Sequence, residues 1–258
     1  MRPTLLIALV PLALSACAHA PAETSAPSGS SDRLQALVAA SDRTEADRAL
    51  DPGRKPVEFL SFLEVAPGMK VAELFAGGGY TTELLARAVA PDGVVYGQNS
   101  RWVLERFAEK PWSERLSRPV MKNVVRVDRE LDDPLPPEAT GLDLVVSNAI
   151  YHDTVWLNVD REKMNRAVFQ ALRSGGIYAV CDSSAKPGTG AQDAQTLHRI
   201  DEQLVRNEVT KAGFTLVAEG DFLRNPADAR DWNAAPGAAG ARRGTSDRFC
   251  LKFMKPTR

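Results

Sequence analysis

Short continuous apolar runs alternate along this chain with longer amphipathic stretches, the pattern of buried strands separated by surface helices. Residues 70–75 form the first apolar run, and 94–97, 124–127, 142–147, 177–181, 214–218 and 249–253 follow as further strands. Helical periodicity occupies 32–50, 79–90, 102–110, 161–172 and 196–212. Pro91-Asp92-Gly93 stops the second of these helices, and Ser174-Gly175-Gly176 leads into the fifth strand. Such alternation predicts an α/β fold with a mostly parallel sheet, ligands gathering at the carboxyl ends of its strands. Residues 220–247 break the rhythm: Asn225-Pro226 and Ala234-Ala235-Pro236-Gly237 mark a loop, so the last two strands read as a terminal hairpin.

The densest chemistry lies where the first strand meets its helix, in Val71-Ala72-Glu73-Leu74-Phe75-Ala76-Gly77-Gly78-Gly79-Tyr80-Thr81-Thr82. Glycines there bring backbone N–H groups close to a ligand, and the helix N-terminus favours an anionic group. Glu73 changes the expected ligand. A carboxylate beside the turn repels a pyrophosphate but suits a cofactor bearing an ammonium and a sulfonium together with its carboxylate.

On those residues the chain resembles the class I S-adenosylmethionine-dependent methyltransferases, within them a bacterial group of predicted methyltransferases. The family's first motif, acidic-hydrophobic-Gly-x-Gly-x-Gly, is met by Glu73, Gly77 and Gly79, with Phe75 in place of the first glycine. The resemblance covers residues 32–258 and includes Arg54-Lys55-Pro56, Pro67-Gly68-Met69 and Tyr151-His152-Asp153. It implies a Rossmann-like, mostly parallel seven-stranded sheet with an antiparallel C-terminal strand. By the same resemblance Glu73, Ala76, Gly77, Gly78, Gly79 and Tyr80 seat S-adenosylmethionine. Asn99 closes the second strand where the family holds the ribose hydroxyls, an amide replacing the usual acid. Asp128 matches the position facing the adenine amino group, and Asn148, ending the fourth strand where a methyl acceptor is expected, completes the cofactor-binding set.

The catalytic candidates are His152, Asp153 and Tyr151. His152 serves as a base toward an acceptor N–H or O–H if its pKa lies near ambient pH. On the helix expected over 196–212, His198 shares a face with Asp201 and Glu202, forming a second polar patch, while Leu197, Ile200 and Leu204 form the apolar face. No Cys/His spacing matches a metal site and the two domain histidines stand far apart in sequence, so no metal is expected. A nicotinamide oxidoreductase is disfavoured because Thr82 stands where the dinucleotide fingerprint ends in glycine. The alternative to an enzyme is an envelope-associated binding module retaining the fold without activity.

The N-terminus is a processing signal. Arg2, the apolar run from Leu5 to Leu14, and Leu14-Ser15-Ala16-Cys17 resemble a bacterial lipobox. This implies a signal peptide over 1–16, acylation of Cys17 as the link to a lipid bilayer, and, with Ala18 following, an outer-membrane lipoprotein facing the periplasm. Residues 17–31, small and polar, read as a flexible tether to the domain at 32–258. The net charge of −1 offers nothing to a nucleic acid, so the expected partners are a small-molecule or exported acceptor and the bilayer. Arg54-Lys55 and Arg242-Arg243 read as solvated faces. Cys181 and Cys250 each sit in an apolar strand and are expected as two buried thiols, although export permits a disulfide and the family's sheet makes their strands neighbours.

Overall fold

The structure, a computed structural model, describes residues 28–257. The expected signal peptide and Cys17 lie outside the described residues. Four helices precede the sheet: α1 (Ser28–Val38), α2 (Glu45–Arg48), α3 (Asp51–Arg54) and α4 (Pro56–Leu63). The helix expected over 32–50 is therefore several short ones, and α1 begins inside the stretch read as tether. Local chemistry explains the breaks. Thr44 restarts the chain as an N-cap, accepting from the Asp47 amide at 3.1 Å, and prolines open α3 and α4. The last of these helices was not anticipated; it buries Phe59, Leu60 and Leu63.

The sheet begins with β1 (Lys70–Leu74), α5 (Tyr80–Val89) and β2 (Val94–Asn99). The next helical stretch runs through α6 (Arg101–Val103), a π-turn at Leu104–Ala108 and α7 (Glu109–Leu116) to β3 (Val124–Asp128). Then come β4 (Leu142–Asn148), α8 (Asp153–Trp156), α9 (Arg161–Ala171), β5 (Leu172–Ser183), α10 (Glu202–Lys211), β6 (Thr215–Gly220) and β7 (Arg248–Met254). Seven strands lie in the order β3-β2-β1-β4-β5-β7-β6, all parallel except β7, which runs antiparallel to both β5 and β6. This is the class I methyltransferase fold expected from the sequence.

Side chains alternate across the sheet and feed two cores. Val71, Val95, Leu144, Val146 and Ala179 pack on one face, with Ala72, Leu74, Val145, Tyr178 and Val180 on the other. Each fully buried aliphatic side chain contributes about 1.5–3 kcal/mol, so the sheet is the rigid frame for everything attached to it.

Two expectations need correction. Cys181 and Cys250 face each other across β5 and β7 and are joined as a disulfide, not held as two thiols. The register, which sequence did not set, decides this. Helix α10 starts at Glu202 rather than 196, because Asp201 caps it through the Gln203 amide at 2.9 Å. The other oxygen of Asp201 accepts from the Gly188 amide at 2.7 Å, pinning the preceding loop, and His198 lies in that loop at φ 49°. The helical face expected to join His198 with Asp201 and Glu202 is absent.

Candidate active site

At the carboxyl end of β1 the chain must turn sharply, and three residues take the left-handed region: Phe75 at φ 60°, Gly77 at 56° and Gly79 at 83°. Phe75 thus adopts the backbone that a glycine normally provides at this place. Bonds from the neighbouring strand hold it there. The Phe75 amide donates to Gln98 Oε1 at 2.9 Å and the Ala76 amide to the Gln98 carbonyl at 2.7 Å. Asn99 Oδ1 accepts from the Gly77 amide at 2.8 Å while its Nδ2 donates to the Gly77 carbonyl at 3.1 Å. Arg115 Nε donates to the Gly78 carbonyl at 2.6 Å, anchored in turn on Asp47 and Glu83. The turn's polar groups are largely consumed internally. What it offers a ligand is bare backbone: a Cβ built on Gly77 meets nothing within 4 Å.

That bare stretch floors a cavity of about 710 Å³, within the roughly 300–1,000 Å³ typical of small-molecule sites. Glu73, Ala76, Gly77, Gly78, Tyr80, Asn148, His152 and Asp153 all border it, so most of the residues singled out in the sequence converge. Four do not. Asn99 lies fully buried beneath the turn, spent on Gly77, because an amide facing a peptide group satisfies both its donor and its acceptor there. Gly79 is pressed under the Trp112 indole, where a Cβ would come within 2.5 Å of the ring. Asp128 pairs with Arg126 at 2.9 Å on the exposed surface. Tyr151 points into the second core, donating to Glu208 at 2.9 Å and accepting from Asn165 at 2.8 Å.

Glu73 is buried and bonded to the Thr82 hydroxyl. Burial outweighs that bond and raises its pKa from 4.5 to about 7. Arg54 faces the same space. Its guanidinium carbon stands 4.2 Å over the Tyr80 ring, whose hydroxyl is fixed on Asp51 at 2.6 Å. Among the described residues Arg54 forms no ion pair, and burial draws its pKa below 12.5. Arg248 adds a second cation whose Nε is buried without a hydrogen-bond partner, and Arg243 a third. The Arg54-Lys55 and Arg242-Arg243 runs were read as solvated faces; Arg54 is instead half-buried against Tyr80, whereas exposed Arg243 lies at the cavity's edge.

Beside the turn stands an aromatic wall that sequence reasoning missed. Trp102 and Trp156 meet edge to face at 5.2 Å, and Phe107 lies 6.1 Å from Trp102 and 6.3 Å from Phe75. The Phe75 ring joins this wall. Three separate segments contribute it, with no common periodicity to signal them.

At the far end His152 Nδ1 lies 2.8 Å from Asp182 Oδ1, and its amide donates to Asp182 Oδ2 at 2.9 Å. Its Nε2 is 3.1 Å from both Asp153 Oδ1 and His198 Nδ1. Burial alone would lower the imidazole's pKa, but the adjoining Asp182 and Asp153 carboxylates outweigh it and lift His152 to about 10. The same contacts hold Asp153 well below the usual carboxylate range. His152 therefore carries a proton at neutral pH, which does not meet the condition set for a base. His152 and His198, far apart in sequence, meet here; Asp182 was legible only as the residue closing the fifth strand, and His198 only as a member of the expected helix.

No protein-family model matches the chain. Among solved structures it is similar to a SAM-dependent methyltransferase from Aquifex aeolicus, at 14% identity over 87% of this chain and 98% of that one, with a TM-score of 0.55. A SAM-dependent methyltransferase from Mesorhizobium loti matches at 17% identity over 78% and 97%, TM-score 0.52. A methyltransferase from Haloferax volcanii, solved with its Trm112 activator, matches at 17% over 88% and 97%, TM-score 0.57. At such identities the likeness establishes the fold, and the site must carry the chemistry.

Proposed function

We propose that this protein transfers a methyl group from S-adenosylmethionine to a small or exported acceptor. The observation that carries the reading is buried Glu73 facing Arg54, which stacks on Tyr80 and forms no ion pair among the described residues, across a bare glycine floor. A carboxylate facing a cation matches the ammonium and carboxylate of an amino-acid moiety. The open space above Gly77 lets the cofactor backbone lie close, and the Trp102, Trp156 and Phe107 rings suit a flat base and a sulfonium.

In this reading the acceptor lies toward Asn148 and the His152, Asp153 and His198 cluster. Rate enhancement comes mainly from holding sulfur, methyl carbon and acceptor atom in line. His152 donates a hydrogen bond rather than removing a proton. Calorimetric titration of the purified full chain with S-adenosylmethionine and S-adenosylhomocysteine tests the proposal; one site per chain is expected, and no heat with either ligand refutes it. Saturable binding with no methyl transfer to any acceptor would instead select the binding module, which the diversion of Asn99 from the cavity favours.

We further propose export as a lipoprotein anchored through Cys17 and facing the periplasm. The Cys181–Cys250 disulfide supports an oxidising compartment. Among the described residues no helix is long and apolar enough to cross a membrane; the anchor in this reading is the acylated cysteine. Labelling with a radioactive fatty acid, lost in Cys17→Ser, is the expected result.

A further inference from the structure

The cluster at the acceptor end has the shape of a metal site. His152 Nε2, His198 Nδ1 and Asp153 Oδ1 form a triangle with sides of 3.1, 3.1 and 3.5 Å. Bonds of about 2.0–2.1 Å to a tetrahedral zinc-like ion place its ligand atoms about 3.3–3.4 Å apart, so the triangle needs almost no adjustment to close on a cation.

Asp153 Oδ1 and His198 Nδ1 both stand 3.1 Å from His152 Nε2, so three ligand-type atoms converge on one point. A cation at the centre satisfies all three atoms together. Surrounding groups also orient the ligands as metal sites require. Asp182, fully buried at the end of β5, accepts from His152 Nδ1 at 2.8 Å and fixes the ring so that Nε2 faces the triangle. Trp156 Nε1 donates to Asp153 Oδ1 at 3.0 Å.

We propose that His152, Asp153 and His198 bind one divalent first-row transition metal ion at the wall of the cavity. Two imidazoles and one carboxylate suit zinc, cobalt, iron(II) or manganese rather than the all-oxygen preference of calcium and magnesium. Three protein ligands leave a fourth position of a tetrahedral ion to water or to a group in the cavity, since all three residues border it.

The consequence for substrate rests on the methyltransferase reading: the fourth position selects an acceptor that presents an oxygen. The acceptor O–H loses its proton to water, its oxygen forms a bond to the methyl carbon, and the breaking C–S bond returns its electron pair to sulfur.

The test uses the full chain, stripped with a chelator and titrated with Co²⁺ while visible absorption is followed. One equivalent giving the intense bands of low-coordinate cobalt, displaceable by Zn²⁺, is the expected result. His198→Ala and Asp153→Asn should weaken binding at least tenfold, with Asp128→Asn unchanged. His198 lies in a loop and is partly exposed, so His198→Ala keeps the fold and carries the test if Asp153→Asn does not. Absence of Co²⁺ binding, or binding unaltered in His198→Ala, overturns the proposal. Calorimetry with S-adenosylmethionine on the same stripped chain reports on the methyltransferase reading separately, so the two fail independently.

Discussion

Glu73 is the residue on which the electrostatics turn, and its burial makes two opposite predictions. In the folded chain its pKa is about 7 against an ordinary 4.5, so between those values the folded state retains a proton that the unfolded state has lost. Stability on its account is full below 4.5, falls as pH rises to 7, and stays low above. The rise from 4.5 to about 7 corresponds to about 3 kcal/mol at pH 8. Glu73→Gln should therefore raise the urea midpoint at pH 8 and leave it nearly unchanged at pH 4. Binding should move the other way. A cationic ligand prefers the ionised carboxylate, so affinity for S-adenosylmethionine should climb severalfold between about pH 6 and pH 7.5, and calorimetry on Glu73→Gln should find it weak and flat. Gly77→Ala separates space from stability: the φ of 56° costs about 1–2 kcal/mol, while the new methyl occupies open cavity and should cut affinity at least tenfold. Glu73 and Gly77 were readable because strand, acid and glycine are contiguous. Arg54 was not, since its place over the Tyr80 ring and on the cavity wall with Glu73 is a property of the assembled site.

Among the elements, α7 decides how the glycine turn is held. Its Trp112 ring fills the space that side chains at Gly79 and Gly97 would need, with Cη2 only 2.7 Å from a Cβ built on Gly97. Gly97→Ala should then destabilise the chain by about 1–3 kcal/mol through overpacking, read as a lower urea midpoint, although Gly97 itself does not border the cavity. At the other end of the sheet the bridge between β5 and β7 closes a loop of separation 69. Removing it as Cys250→Ser should cost about 2–4 kcal/mol, and reductant should lower the wild-type midpoint while leaving the variant's unchanged. Strand identity was legible from apolar runs, because strands buried on both faces are continuous in sequence. Helix boundaries at 32–50 and 196–212 were not. The amphipathic period continued past Thr44 and Asp201, whose capping side chains stop and restart the helix on geometry that period alone does not encode.

On the scale of the whole molecule, the parallel order places the ends of β1, β4 and β5 side by side, and the cavity forms above them. Segments distant in sequence complete it: the α3 arginine, the α6 tryptophan, the α8 indole, the His198 loop and the long β6–β7 connection. This division explains why the fold was largely visible in the chain while half the site was not. Topology follows from the order of elements, whereas the aromatic wall and the histidine cluster arise only when those loops meet. A buried carboxylate facing the Arg54 guanidinium across bare backbone selects a positively charged nucleoside. Isothermal calorimetry on the full chain with S-adenosylmethionine, S-adenosylhomocysteine and NAD tests this most directly. The account predicts one saturable site for each of the first two and no heat with NAD; silence with both sulfur nucleosides, or saturable binding of NAD in their place, would contradict it.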